Sequence, residues 1–248
     1  MLNQAGPVFA RSGFDRATIR EICGAANVNV ASVAYYFGDK MGLYRSVVAQ
    51  IRDTRERRFP SPPNLGDVEP EVALVRLIHT MLSRMLKSDP SGWETQLLMR
   101  EMDHPTVVFQ ELVNDFFRPV FDQLKSTIVR LIGRGAVDSD FDANAIDESV
   151  VEQFALSVVG QCLYYRLGRG VIDVLIPRGR QQESFDIDSL CQHIAAVTLS
   201  AAHNASFLHQ KRELAPLIEQ FKATVGSDVT AHRAESGNPL SSKPNIDK

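Results

Sequence analysis

The sequence predicts an all-α protein in which a small helical domain is followed by a larger one. Apolar residues recur at intervals of three and four positions through nearly every long segment, which is typical of amphipathic helices. The two-residue alternation of a half-buried strand is hard to find. A segment with three prolines near residue 60 separates two helical regions. We therefore expect domains at 1–58 and 69–225, a linker at 59–68 and a disordered polar tail at 226–248.

The composition excludes several classes of protein. A hydrophobic fraction of 44% supplies a core of ordinary size. The three cysteines are far apart in the chain, so we expect neither a disulfide framework nor a paired-cysteine metal site. No run approaches the roughly 18 to 20 apolar residues that cross a bilayer, and no secretory leader precedes the first helix. We expect a cytoplasmic protein without a metal or cofactor.

The first two helices are predicted from an apolar stripe and from a capping sequence. The stripe consists of Leu2, Ala5, Val8 and Phe9. That helix ends at Gly13. Thr18, with Glu21 three residues later, is typical of the capping box that begins a second helix, which runs to about Ala26. Asn27 follows, a residue type that tolerates the left-handed backbone of a tight interhelical turn.

A third and a fourth helix complete the small domain. Asn29 is expected to cap a short helix over 30–37, which Gly38 stops. Asp39 then caps a fourth helix that continues to about Arg58. The following segment cannot sustain a helix, because prolines lack an N–H donor and have a fixed φ angle.

The larger domain is predicted to contain five long helices. They span about 69–87, 92–102, 105–132, 143–167 and 187–204. Pro119 falls inside the third of these and is expected to kink it. An amphipathic stretch from about 206 to 225 indicates one more helix, interrupted at Pro216.

The second and third helices together have the properties of a helix-turn-helix. A supporting helix with a buried stripe is followed by a turn of about three or four residues and by a short helix rich in small and aromatic side chains. Val30, Ala31 and Ser32 are small enough for the third helix to approach base edges in the major groove. Tyr35 and Tyr36 can reach phosphates with their hydroxyls.

The small domain is also the basic part of the chain. It carries nine Lys/Arg against five Asp/Glu, a charge of +4, although the whole chain has a charge of -3. Lys40 lies in the first turn of the fourth helix, where an amine and free backbone N–H groups favour a phosphate oxygen. This asymmetry is consistent with double-stranded DNA as a partner.

A longer pattern covers much of the first 44 residues. It consists of Phe9, Gly13, Phe14, Thr18, Ile22, Ala25, Val28, Tyr35, Tyr36, Phe37, Gly38, Lys40, Leu43 and Tyr44. Together these positions resemble the N-terminal signature of the TetR family of repressors. The resemblance implies base contacts for Arg20, Val30, Ala31 and Ser32. It implies DNA-backbone contacts for Tyr35, Tyr36 and Lys40.

Two features of the first helices depart from that signature. The first helix begins almost at Met1, so we expect the basic arm that usually precedes it to be missing. Asn27 stands where the family commonly has Gly, which the turn should tolerate.

A second resemblance lies downstream. The segment Trp93 to Thr106, with Phe117 to Phe121, is similar to the CerR/CecR-like branch of the family.

The larger domain is expected to bind a small, hydrophobic effector. Methionine and aromatic side chains provide an adaptable apolar wall, and a few polar groups anchor the ligand. We expect the effector to contact Trp93, Arg100, Glu101, His104, Phe109, Phe116 and Tyr164. A stripe of this composition is equally compatible with an ordinary core.

The resemblance implies a homodimer that pairs through the helices near 147–167 and 187–204. Apolar stripes at helical spacing agree with this, although they also fit an intrachain core. The stripes consist of Val150, Phe154, Val158, Gln161, Cys162, Tyr165, Leu190, Ile194, Val197, Thr198 and Ala201. A dimer would place two recognition helices about one DNA turn apart on a pseudopalindromic operator. We expect a repressor that the effector releases.

Two other functions stay open at the level of sequence. Glu101 and His104 have the Glu-x-x-His spacing of di-iron carboxylate bundles, but such bundles need the motif twice and this chain has it once. An architectural DNA-binding dimer would have a filled core instead of an effector pocket. Phosphate-loop, nucleophile-elbow and zinc-protease motifs do not occur, so we expect no catalytic residue.

Overall fold

The computed structural model describes residues 1–87, 89, 91–135, 146–203 and 214–222, and within these ranges the regular structure is helical throughout. The helices of the first unit, Met1–His203, are α1 (Leu2–Arg16), α2 (Ile19–Ala26), α3 (Val30–Phe37), α4 (Lys40–Arg58), α5 (Pro70–Leu86), α6 (Trp93–Asp103), α7 (Val108–Leu112), α8 (Arg118–Gly135), α9 (Glu148–Leu167), α10 (Arg169–Leu175), α11 (Arg178–Ser184) and α12 (Ile187–His203). The all-α prediction is confirmed.

The predicted caps of α2, α3 and α4 are present, but the Glu21 carboxylate accepts from Arg11 at 2.7 Å and does not complete the predicted capping box with Thr18. Side-chain oxygens of Thr18, Asn29 and Asp39 accept backbone N–H groups two or three residues ahead, at 2.7 to 3.1 Å. Asn27 is left-handed, with φ 52° and ψ 48°. Gly13 has φ 76° and breaks the helical backbone of α1, as expected of a residue without a Cβ atom.

Two clusters of buried apolar side chains hold the first unit together. One is formed by α5, α8, α9 and α12. The other combines α1 to α4 with α6 and α7, to which these two helices contribute Leu97, Leu98, Val108 and Leu112. The packing therefore does not follow the chain order, because helices that come after the proline-rich segment complete the core of the N-terminal helices.

The segment between α4 and α5 is non-helical, as predicted, but it is held in place by two arginines of the larger domain. Arg84 on α5 donates to the carbonyl oxygen of Phe59 at 2.8 Å. Arg130 on α8 donates to the carbonyl oxygen of Leu65 at 2.8 Å, and the Leu65 side chain is buried. Hydrogen bonds from α5 and α8 therefore anchor this connection at two points.

A π-helical turn precedes Pro119, the proline that was expected to kink the long helix. Val113–Phe117 forms this turn between α7 and α8, and Pro119 is the second residue of α8. Proline has no N–H group to donate to the carbonyl oxygen one turn earlier. The wider hydrogen-bonding pattern of the π turn tolerates the loss of that bond. The predicted long helix thus begins at Val108 and changes its hydrogen-bonding pattern before Pro119.

The stripes assigned to dimerisation lie mostly inside the chain, which is the alternative that their spacing left open. Val150, Phe154, Val158, Cys162, Leu190, Ile194 and Thr198 are buried against other helices of the same chain. The side chains that face outward from α9 and α12 include only Val197 from those stripes. The outward-facing residues include Leu156, Gly160, Tyr164 and Leu167 on α9, with Ala196 and Val197 on α12.

A helix at 214–222 belongs to a second unit, Asn204–Lys248. It exposes Leu214, Leu217, Ile218 and Phe221. The helix continues through Pro216, contrary to the predicted interruption. The tail predicted at 226–248 lies outside the described residues. Nowhere in the described ranges is a helix long and apolar enough to cross a membrane.

Candidate nucleic-acid interface

Most side chains of the α3 helix are exposed to solvent, and few of them pack against the core. The helix buries a single residue, Val33, which lies against the core of the first four helices. Tyr35 and Tyr36 are 82% and 72% exposed, and Val30 is 48% exposed. Large apolar side chains left this exposed on a short, well-capped helix indicate a binding surface.

The other predicted DNA contacts flank this helix. Arg20 on α2 and Ala31 on α3 are exposed, whereas Ser32 and Lys40 are half-buried. α3 packs against both α2 and α4, so the predicted residues occupy three adjacent elements. The arrangement places exposed basic, aromatic and small side chains beside one another, as a helix-turn-helix requires.

The Lys40 amine is held by the last turn of α1. Its Nζ atom donates to the carbonyl oxygen of Asp15 at 3.1 Å and lies 4.6 Å from the centre of the Phe14 ring. An ammonium has three donors, so this arrangement leaves donors for a phosphate oxygen.

Three residues predicted to bind an effector join α6 to the N-terminal helices. The Trp93 ring packs against Gly6 of α1, where a Cβ atom would overlap the ring. Arg100 donates to the carbonyl oxygen of Arg11 at 3.3 Å. A Cβ atom at Gly13 would lie 2.8 Å from the Arg100 guanidinium.

Glu101, the third of these residues, is a buried carboxylate whose hydrogen bonds are made within the protein. It accepts from the hydroxyl of Tyr44 on α4 and, at 2.7 Å, from both the N–H and the hydroxyl of Thr106. Burial, and then the bond to Glu101, raise the pKa of Tyr44 well above its usual range. His104 is exposed and lies beside Asp103. Glu101 and His104 thus do not form an inward pair of metal ligands.

The remaining predicted effector contacts are spread over the larger domain. Phe109 on α7 is half-buried, and Phe116 in the π turn lies 5.5 Å from the Arg84 guanidinium. Tyr164 is 53% exposed on the outer face of α9. The structure therefore does not bring the seven residues together around one cavity, and their contact with an effector stays a prediction.

Two open clefts of about 320 Å³ each lie elsewhere on the first unit. One is lined by Pro60, Pro62, Val75, Arg76, His79 and Thr80. The other is lined by Leu86, Lys87, Phe185, Asp186, Ile187 and Asp188. Neither includes a residue predicted to bind the effector. Among the described residues no group of three or more His, Cys, Asp or Glu side chains could hold a metal ion.

A buried charge cluster joins α4, α6 and α9. It was not predicted from the sequence. Arg55 on α4 is only 6% exposed and lies 3.5 Å from Glu94 on α6. Burial lowers the pKa of Arg55 and raises the pKa of Glu94. Arg166 on α9 lies 3.8 Å from the buried carboxylate of Asp89. The sequence does carry one sign of this cluster: Arg55 lies four residues after Ile51, in the apolar stripe of α4.

Comparison with known proteins identifies the family. The model for bacterial regulatory proteins of the tetR family matches residues 2–47, and that for the C-terminal domain of the HTH-type transcriptional dual regulator CecR matches residues 70–202, more than half of the chain. The HTH-type transcriptional dual regulator CecR of Shigella flexneri is 31% identical over 171 residues, which are 63% of this chain and 70% of that protein.

Solved structures agree at the level of the fold. A HlyIIR mutant protein is similar with a TM-score of 0.54 and 22% identity, over 79% of this chain and 92% of that one. AibR, in complex with isovaleryl coenzyme A and operator DNA, is similar with a TM-score of 0.52 and 16% identity, over 79% of this chain and 94% of that one. At these identities the two structures show a shared fold. The chain belongs to the TetR family of bacterial transcriptional regulators, in its CecR-like branch.

Proposed function

We propose that this regulator binds a pseudopalindromic DNA operator as a homodimer in the cytoplasm, represses transcription there, and leaves the operator when a small hydrophobic effector binds. The observation that carries the proposal is the exposure of Tyr35 and Tyr36 on a helix that buries only Val33. An architectural role would need no coupling between the two domains, whereas α6, from the sequence region of the larger domain, packs against α1 here.

Each exposed group has a role that fits its chemistry. Arg20, Val30, Ala31 and Ser32 contact base edges in the major groove. Tyr35, Tyr36 and Lys40 bind phosphates and set the register of α3 on the duplex. The net charge of +4 on residues 1–58 attracts DNA at long range.

The outer faces of α9 and α12 form the proposed dimer interface. Leu156, Tyr164 and Leu167 are 58%, 53% and 55% exposed in the single chain, and Val197 is 47% exposed. Space beyond Gly160 is open, so a helix of the partner can approach closely there. A second copy would cover this apolar surface and hold two α3 helices about one DNA turn apart.

The effector acts through α6 in this proposal. Trp93, Arg100 and Glu101 all contact α1 or α4, so a ligand that favours another position of α6 also changes the DNA-binding surface of the N-terminal helices. The ligand's differential affinity for the two arrangements sets how far DNA binding shifts. The remaining proposed effector contacts are His104, Phe109, Phe116 and Tyr164. AibR, a fold relative, was crystallised with isovaleryl coenzyme A and operator DNA, which makes acyl thioesters a first effector class to test.

Selection of bound DNA from a random duplex pool tests this function. The full chain should enrich a sequence with two-fold symmetry, and a hydrophobic effector should reduce its recovery. Ser32→Ala should change the preferred base at one position of each half-site while leaving the spacing intact. No enriched sequence at low salt, or an unchanged preference after Ser32→Ala, would contradict the proposed contacts. A promoter fusion then separates repression from activation, since CecR of Shigella flexneri is named a dual regulator.

A further inference from the structure

Two consecutive residues of α6 contact the surroundings of Phe14, one through the backbone of α1 and the other through Tyr44. Arg100 packs against Gly13, the residue before Phe14, and binds the carbonyl oxygen of Arg11. Glu101 binds the hydroxyl of Tyr44. The Tyr44 ring in turn meets the Phe14 ring edge-on, with 5.2 Å between their centres.

Phe14 and the next residue hold the Lys40 amine. The Phe14 ring faces Nζ at 4.6 Å, and the Asp15 carbonyl oxygen accepts from it at 3.1 Å. An ammonium over an aromatic face is attracted to the ring, and the hydrogen bond fixes its direction. The path from α6 to Lys40 therefore runs through α1, and it is separate from the Arg55 cluster at the other end of α4.

We infer that Arg100 and Glu101 are positioning residues for Lys40: they hold Phe14 and Asp15 so that the Lys40 amine is fixed where a DNA phosphate oxygen meets it. This inference rests on the proposed function, in which Lys40 is a phosphate contact. Displacement of α6 frees the turn after Gly13, the amine loses its fixed position, and one phosphate contact weakens without any change in the α3 helix.

A double-mutant cycle between two residues that do not touch tests the inference. Arg100→Ala should weaken operator binding about threefold to tenfold, a coupling of ordinary size for residues acting through an intermediate. In the Lys40→Met background the same Arg100→Ala change should have no effect on binding. Arg100→Ala and Lys40→Met should each lower the slope of log K against log salt by about one ion. Equal effects of Arg100→Ala in both backgrounds would overturn the inference.

A second measurement needs no DNA. The rate of reductive methylation of Lys40 in the free protein should rise in Arg100→Ala, because the amine is no longer held by Phe14 and Asp15, while Lys125 serves as the internal reference. Matching thermal midpoints of the two proteins confirm that the variant is folded. An unchanged Lys40 rate contradicts the inference even if DNA binding is lost. Conversely, a raised Lys40 rate in a protein that binds no operator supports the coupling and refutes the proposed function.

Discussion

Gly6 and Gly13 show how the absence of a side chain positions an entire helix. The two glycines are seven residues apart on α1, and their neighbours Trp93 and Arg100 are seven residues apart on α6. Seven residues are about two helical turns, so both contacts lie on one face of each helix. The two helices consequently run in parallel with a fixed register, which sets where α6 meets the N-terminal helices.

Gly6→Ala tests that register. The added methyl group would overlap the Trp93 ring, so we expect a loss of about 1 to 3 kcal/mol in the free energy of unfolding, as for other overpacked sites. Gly24→Ala is the matched control, because nothing lies within 4 Å of a Cβ atom there. In the α2 helix that change should stabilise by about 0.5 to 1 kcal/mol. Urea titrations measure both, and equal effects at the two sites would refute the proposed packing.

Cys162 makes stability depend on pH in the alkaline range. Burial, and then the neighbouring Cys191, raise the pKa of the Cys162 thiol from 9.0 to about 12. The unfolded chain loses this proton at lower pH than the folded protein does, so the stabilisation is present below pH 9 and is lost as the pH rises toward 12. Each pKa unit corresponds to about 1.4 kcal/mol.

Cys162→Ala should therefore flatten the decline of the free energy of unfolding above pH 9. The substitution also leaves a small cavity, which lowers stability at every pH, so the slope and not the absolute value is the measured quantity. Denaturant titrations at several pH values between 9 and 10.5 give that slope. The same slope in wild type and variant would show that this thiol ionises normally in the folded protein.

Local residue roles could be predicted from sequence, and long-range roles could not. The caps formed by Thr18, Asn29 and Asp39 depend on neighbours within three residues, and all three are confirmed. Glu101 was expected to bind an effector because a polar group in an apolar stripe suggests an anchor. Its partner Tyr44 is 57 residues away in the chain, and no spacing rule connects them.

At the scale of elements, the connection between α4 and α5 depends on Arg84. This side chain binds the Phe59 carbonyl oxygen and the Glu56 carboxylate, and burial lowers its pKa. Arg84→Met should reduce the free energy of unfolding by about 1 to 3 kcal/mol, because it removes a buried donor and its hydrogen bonds. Arg134→Met is the control, since the Arg134 pairs with Glu69 and Glu71 are solvent-exposed. That change should cost less than about 1 kcal/mol. Thermal unfolding of both variants distinguishes a fixed connection from a flexible one, for which the two costs would be alike.

Periodicity predicted the long helices but missed α10 and α11. No residue of these two helices is buried, so they carry no apolar stripe facing a core, and the glycines and the proline around them are typical of loops. The stripes that periodicity assigned to the dimer on α9 and α12 are mostly buried within the chain, so the proposed interface uses the exposed faces of these helices. A stripe shows which side of a helix is covered, but it does not show whether the covering helix belongs to the same chain.

At the scale of the whole molecule, the proposed dimer covers the outer face of α9. Leu156→Arg places a charge in the centre of that face and should weaken the dimer about tenfold or more. Val72→Arg on α5 is the matched control, because this exposed aliphatic residue lies outside the proposed interface. Sedimentation velocity over a range of concentrations measures both. If the wild-type protein is a dimer and Leu156→Arg does not weaken it, the interface lies on another face of the molecule.

A hydroxyl-radical footprint on the selected DNA tests whether two copies of α3 bind one operator. Two protected segments are expected on the same face of the duplex, with centres about 34 to 36 Å apart. In Tyr36→Ala, protection should weaken equally in both segments. A single protected segment, or two segments on opposite faces of the duplex, would contradict binding by two α3 helices.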